Sequence, residues 1–455
     1  MDKQQASGEQ RQFYRMTQTP VPRLISSLAF PTIVSMMVTS IYNMADTYFV
    51  SQLGTSASGA VGIVFSLMAV IQAIGFTLGM GSGSQISRLL GQQRSKEATE
   101  IASSGFFSAI LLGLLLTVFG SLLIDDLMRL LGATTTILPY ARDYARYILF
   151  GAPVMAASFV LNNILRAEGR ARLSMIGIAA GGVLNIALDP LFVFVFGLGI
   201  AGAAIATLIS QCVSCGILLS CFLRGKSTTR LSFLCLSRRP SVYLGILKTG
   251  LPSFCRQGLA SISTVALNRN AAVYGDAAVS AMSIVGKLFM LIFSALLGFG
   301  QGFQPVVGYN YGAKKFVRVR KACSFTLKVG TVLMSVFASA CFFAAPYLLR
   351  LFIDDAAVIE IGTSALRAQC LAMPLLPLGV VCNMTFQTIG KSWTATFLSA
   401  ARQGIFFLPL IYLLPALFGL GGIQITQPCA DILTFLCCIP FAAVFLHRLP
   451  KTDEA

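Results

Sequence analysis

SIYNMADTYFVSQLG, residues 40–54, closes the first long apolar stretch of the chain and sets Asp46 among Ile41, Met44, Tyr48, Phe49 and Val50. A carboxylate in a segment otherwise suited to lipid is costly, so it asks for a partner or a task. The surrounding composition fixes the class. Hydrophobic residues make up 56% of the chain and charged residues 11%, and apolar runs long enough to cross a bilayer recur throughout. Such a chain is an integral membrane protein.

Windows of about 20 residues give twelve spans, at 26–50, 60–80, 101–124, 141–165, 174–195, 199–222, 249–273, 277–301, 324–348, 362–388, 394–417 and 422–446. The connections are short and leave no room for a soluble domain. The expected fold is therefore an all-α bundle of twelve transmembrane helices.

In a soluble chain the net charge of +17 would suggest nucleic acid, but its distribution points elsewhere. Twelve spans place most of the basic residues at one end, and only Arg129, Arg142, Arg146, Arg269, Arg350 and Arg367 at the other. The positive-inside rule then puts both termini in the cytoplasm, with no nucleic-acid partner, and the expected location is a bacterial plasma membrane, crossed many times. The segment before the first span lacks the short apolar region and cleavage site of a removable signal peptide. All twelve cysteines lie at or after Cys212, mostly within spans, where they read as small hydrophobes, the Cys212/Cys215 pair included. His447 is the single histidine and sits in the tail, which excludes a histidine-based triad or metal centre and leaves no cofactor to expect.

The chain is a duplication. An ungapped shift of 221 positions aligns Pro31 with Pro252, Gly54 with Gly275, Gly79 with Gly300, Gly81 with Gly302 and Gly91 with Gly312; Pro153, Asn162 and Gly169 then meet Pro374, Asn383 and Gly390. Chance would supply roughly one such glycine pair. With one extra residue, FGLG at 196–199 matches FGLG at 418–421. The organisation read from this is a cytoplasmic segment 1–23, a six-helix lobe 24–223, a basic linker 224–247, a second six-helix lobe 248–446 and a tail 447–455. Two parallel repeats facing each other across a cavity suit a transporter working by alternating access. GMGSGS at 79–84 resembles a phosphate loop, but no strand precedes it and its repeat mate is GQGFQP at 300–305; these glycines read as helix ends or close-packing sites.

Among the acids, Asp46, Asp189 and Asp431 lie well inside spans. Asp46 and Asp189 fall at matching depths, roughly 8–10 Å below the outer surface at 1.5 Å per residue, so they can be neighbours. Tyr42 precedes Asp46 by one helical turn and Asn185 precedes Asp189 likewise, each on the face of its acid. Thr207 and Tyr144 reach a similar depth. Pro190 follows Asp189 and is expected to disturb helical geometry there, freeing oxygen ligands. Two carboxylates, an amide and a hydroxyl suit Na⁺ or a shared proton.

These residues resemble a family. YNMADTYFVSQLG at 42–54, SRLLG at 87–91, LNIALDPLFVF at 184–194, GAAIAT at 202–207, QPVVGYNYGAK at 304–314 and QPCAD at 427–431 are similar to the multidrug and toxic compound extrusion (MATE) transporters, over nearly the whole chain. The resemblance implies the architecture of the MOP superfamily, with the coupling-cation site on Tyr42, Asp46, Tyr144, Asn185, Asp189 and Thr207. It implies a further polar position at Asn162 and a hinge at Pro31. It departs in the second half, where GLPSFCRQGLAS at 250–261 and PLGVVCNMTFQTIG at 377–390 carry no acid. That half offers instead Asp431, Arg402, Lys287 and Arg256, with Arg402 and Asp431 either a structural pair or, through Asp431, a contact for a cationic substrate.

The expectation is a monomeric secondary antiporter in the lipid bilayer, not an enzyme, that exports small organic compounds, cationic or amphipathic, in exchange for H⁺ or Na⁺. A flippase for lipid-linked sugars is the alternative within the same architecture. A membrane-embedded enzyme is the alternative outside it, against which the missing histidines and sparse acids count.

Overall fold

The computed structural model describes residues 3–450 and 452–453; positions 1–2, 451 and 454–455 of the two terminal segments lie outside the described residues. All secondary structure among them is helical. The first lobe comprises α2 (Val21–Ser51), α3 (Thr55–Gly91), α4 (Ser95–Leu122), the short α5 (Ile124–Leu130), α6 (Leu138–Ala167), α7 (Ala171–Pro190), a π turn (Leu191–Val195) and α8 (Gly199–Leu223). It is preceded by α1 (Lys3–Gln18), which hydropathy alone did not mark. The second lobe comprises α9 (Pro240–Ala272), α10 (Asp276–Gly312), α11 (Phe316–Arg350), α12 (Ala356–Ala372), α13 (Leu376–Thr388), α14 (Ser392–Ala400), a π segment (Ala401–Phe406), α15 (Phe407–Phe418) and α16 (Leu420–Arg448).

Eleven of these stretches are long and apolar enough to cross a membrane. The twelfth expected span is α9. It is less apolar than the others, carrying Lys248, Ser253, Arg256 and Gln257, yet it packs on α3 and α14 and occupies the position the duplication requires. It also begins at Pro240, inside the stretch read as linker. α3 and α10 run without interruption through GMGSGS and GQGFQP, so those glycines end no helix.

Their role is contact. Lipid tails are as apolar as leucine, so membrane helices gain by close packing, and small residues permit it. A Cβ on Gly81 would overlap the Ile246 carbonyl of α9, and one on Gly302 would overlap the backbone of Ala29 on α2. Shifted by 221, these are the same crossing made twice. Gly91 packs on the Tyr309 carbonyl and Gly312 on the Arg88 carbonyl, again repeat mates. Even the two non-glycine residues with positive φ, Gln93 and Lys314, are equivalent positions.

All four crossings join one lobe to the other at the end carrying the basic loops. Thr32 donates to the Gly298 carbonyl at 2.6 Å, and Arg88 to the Ile389 carbonyl at 3.0 Å. Arg166 donates to Gln301. α1 adds a bridge, since Gln12 donates to the Glu168 carbonyl in the first lobe while Asn310 of the second donates to the Met16 carbonyl. The linker is tied down by Glu168, whose carboxylate accepts from the Thr228 and Thr229 amides and from the Ser227 and Thr229 hydroxyls. Burial pushes the Glu168 carboxyl above its ordinary range, and those donors act against the shift.

The apolar core follows the same division. One cluster, with Leu24, Ile86, Ile246 and Phe303, is shared by both lobes at the basic end. Toward the other end each lobe keeps its own cluster, around Tyr144 and Ile148 in the first and around Met334 and Leu366 in the second.

Replacing Gly81 or Gly302 by alanine is expected to destabilise the closed arrangement by about 1–3 kcal/mol through overpacking, read as a lower thermal midpoint of the purified protein in detergent. Gly62 of α3 has open space where its Cβ would go and supplies the control. Equal midpoints for Gly62→Ala and Gly81→Ala would show that the crossing carries no stability.

Candidate functional site

The acid of α2 meets the acid of α7 because glycines let the helices approach. Gly182 lies against Val38 and Tyr42 of α2, and Gly181 lies against Ser210 and Ser214 of α8. α7 is thus wedged between α2 and α8, with Asp189 at its last turn and Asp46 on the facing side. This glycine pair is a sequence signal that reading by acids alone passed over.

The side chains form a continuous polar chain in a buried place. Asp46 is 4% exposed and Asp189 0%. Asp46 Oδ2 accepts from the Tyr144 hydroxyl at 3.3 Å. Asn185 Nδ2 donates both to Asp189 Oδ1 at 3.1 Å and to Thr207 Oγ1 at 3.3 Å. Tyr144 stands close enough to Thr207 and Asp189 to interact with both. Tyr42 lies one turn along α2 and lines, with Asn185 and Thr207, a cavity of about 40 Å³. Five of the expected residues therefore gather, and Tyr42 borders them.

What the cluster lacks decides its chemistry. Asp46 Oδ1, Asp189 Oδ2 and Asn185 Oδ1 are buried and have no hydrogen-bond partner among the described residues. A buried carboxylate oxygen without a donor is costly. Together these two carboxylate oxygens and one amide oxygen make a donor set suited to a proton or a hard monovalent cation.

One expected feature looks different in the structure, and two others stand away from the acids. Pro190 does not disrupt the helix at Asp189: α7 stays helical through Pro190 (φ −63°, ψ −31°), and the irregularity falls after it, in the π turn that packs on Gly202 of α8. The ring lacks only a donor, and the wider turn absorbs that loss downstream. Asn162 stands apart from the acids, donating to Ser174 Oγ at 2.7 Å toward the basic end. Pro31 sits inside an unbroken α2, directly before Thr32, whose hydroxyl anchors the helix to α10.

The second lobe holds a different site. A cavity of about 300 Å³ is lined by Arg256, Phe289, Phe293, Gln369, Arg402 and Asp431, among others. Arg402, on the π segment, donates through Nε to Asp431 Oδ1 at 2.7 Å. Gln427 donates to the same oxygen at 2.9 Å and Gln369 to Oδ2 at 2.8 Å. The Arg402 guanidinium lies over the Phe293 ring at 4.6 Å and the Phe289 ring at 5.3 Å. Of the two roles foreseen for Asp431, the pair is what forms. Its carboxylate is already neutralised and bonded on both oxygens.

Comparison with known proteins agrees with this architecture. The family model MatE matches residues 31–191 and 252–413, one match per lobe. The multidrug export protein MepA of Staphylococcus aureus (strain NCTC 8325 / PS 47) is 27% identical over 439 residues, covering 96% of this chain and 97% of its own length. MepA of Staphylococcus saprophyticus is 27% identical over 448 residues, covering 98% of each. A solved structure described as the outward-facing conformation of a multidrug resistance MATE family transporter of the MOP superfamily superposes with a TM-score of 0.91 at 28% identity, over 96% of this chain and 98% of that one. The chain is thus an all-helical, multi-pass membrane transporter, and it belongs to the MatE family.

Proposed function

We propose that this transporter exports amphipathic organic compounds in exchange for H⁺ or Na⁺, and that the Asp46/Asp189 cluster is where the cation binds. The observation that carries the reading is the set of three unpaired oxygens on two buried carboxylates and their amide neighbour. Entry of a proton or Na⁺ satisfies those oxygens and removes net negative charge from between α2, α6 and α7; its loss restores the charge. The cluster then has two packing states selected by one cation, as antiport requires.

Each residue has its task in that cycle. Asp46 and Asp189 carry the charge, and Asn185 and Thr207 set the distance between oxygens. The Tyr144 hydroxyl holds Asp46 against α6, and Tyr42 closes the cavity from below. Pro31 gives α2 a joint between the anchored Thr32 region and the Asp46 arm, and the π turn after Pro190 gives α7 one beyond Asp189. The lobes, joined at the basic end, rock against each other to expose the central cleft alternately. Both termini lie in the cytoplasm, and the monomer is the working unit.

Asp46→Asn or Asp189→Asn is expected to bring efflux from proteoliposomes to the protein-free level at unchanged membrane insertion. The measurement uses a panel of ethidium, rhodamine 123 and fluorescein under an imposed pH gradient and then a sodium gradient. Efflux of every transported dye at the wild-type rate in either variant would refute the assignment. The gradient that drives wild-type efflux identifies the cation.

Thr207→Val leaves the Asn185 amide short of one acceptor, a cost of about 1–3 kcal/mol. The cation concentration for half-maximal efflux should rise about tenfold, with the maximal rate retained. An unchanged midpoint would remove Thr207 from the site.

A further inference from the structure

The cavity of the second lobe is positively charged. Arg256 and Arg402 line it against the one acid Asp431, a formal balance of two minus one, or +1. The acid is also spent, since Arg402, Gln369 and Gln427 occupy its oxygens. Arg256 is the opposite case. It sits midway along α9, half-buried in a membrane-spanning bundle, with no ion pair or hydrogen bond to any described residue. A guanidinium cannot shed its proton in a protein, so at that depth it calls for a counter-charge.

No described residue of the cavity wall supplies one. Arg166, at the lobe interface, lies close enough for its charge to oppose that of Arg256. Its own partners are the neutral Gln301 and Asn163. Around Arg256 the wall offers side-chain amides at Gln257, Gln403 and Asn383, and an apolar face from Phe289, Phe293 and Met290. The repeat makes the placement specific to this lobe: the positions matching Arg256 and Arg402 are Ser35 and Gly181, while those matching Asp46 and Asp189 are Leu267 and Leu410.

We propose that this cavity is the subsite for the head of an amphipathic organic anion, a carboxylate, sulfonate or phosphate ester, with Arg256 as its counter-ion and the phenylalanine face holding its apolar body. The planar fork of Arg256 matches such heads with two parallel hydrogen bonds. The Arg402–Asp431 pair keeps Arg402 stacked on the rings, so its guanidinium forms part of the aromatic wall. This inference rests on the export reading and narrows its substrate class.

The test compares fluorescein with rhodamine 123, dyes of one ring skeleton and opposite charge. Binding to the purified full-length protein in detergent is followed by fluorescence polarisation, and transport by efflux from proteoliposomes. Fluorescein should bind, and octanoate should displace it at least tenfold more effectively than octanol. Arg256→Gln should weaken fluorescein binding at least tenfold while moving rhodamine 123 less than twofold, and Arg256→Lys should recover part of the loss. Translocation of fluorescently labelled phosphatidylglycerol that also depends on Arg256 would identify a lipid headgroup as the source of the anion. Its absence beside fluorescein efflux would identify soluble compounds. Rhodamine 123 binding with no fluorescein binding, or equal displacement by octanoate and octanol, would overturn the proposal. Because binding needs no gradient, it stands or falls separately from the export reading, which the Asp46 and Asp189 variants test.

Discussion

Between apolar helices bathed in lipid, moving a leucine from lipid to protein gains almost nothing, so the lobes must be held by close backbone contact and buried hydrogen bonds. This protein meets that constraint with glycines placed in pairs. Gly81 and Gly302 let α3 and α10 lie directly on the backbones of α9 and α2, and Gly91 and Gly312 repeat the device where α3 and α10 meet. The shared core and the hydrogen bonds of Thr32, Arg88 and Arg166 then form at the same end. The separate far-end cores follow.

That constraint explains which features were readable in the chain. Glycines that touch backbone resist replacement, so the 221-residue shift exposed them, and hydropathy placed eleven spans on their helices, though α3 and α10 run on well past the expected ends at 80 and 301. The one-turn spacing of Asn185 and Asp189 survived unchanged as a hydrogen bond. Other features lay beyond such signals. α1 is polar, so hydropathy passed it over, and α9 begins at Pro240, within the stretch read as linker. The effect of Pro190 fell downstream, in a π turn whose Phe192 carbonyl packs on Gly202 of α8. The Glu168 carboxylate finds its donors at Ser227 to Thr229, two helices further along the chain.

The two lobes began as copies and now differ most in the sign of their buried charge. The first keeps two carboxylates with unpaired oxygens and no buried base beside them. The second keeps two guanidinium groups and one carboxylate that is fully engaged. A buried charge is retained only where something offsets its desolvation. On the export reading, opposite charges in separate lobes suit separate ligands, each lobe holding what the other would repel. An exchanger gains from this arrangement, because the two ligands need not compete for one set of atoms to exclude each other; they need only favour different relations between the lobes.

α2 is the element through which such a preference can pass. Its lower part is fixed to the opposite lobe by Ala29 under Gly302 and by the Thr32 hydroxyl on the Gly298 carbonyl. Its upper part carries Asp46, held to α6 of its own lobe by Tyr144. Pro31 lies at the boundary, where its missing N–H leaves the helix one bond weaker. About 22 Å of helix separates that joint from the acid at 1.5 Å per residue. A small change in how Asp46 sits against Tyr144 thus acts at the end of a lever whose base belongs to the other lobe. On the export reading, a single cation needs to move only one helix to change how the two lobes meet.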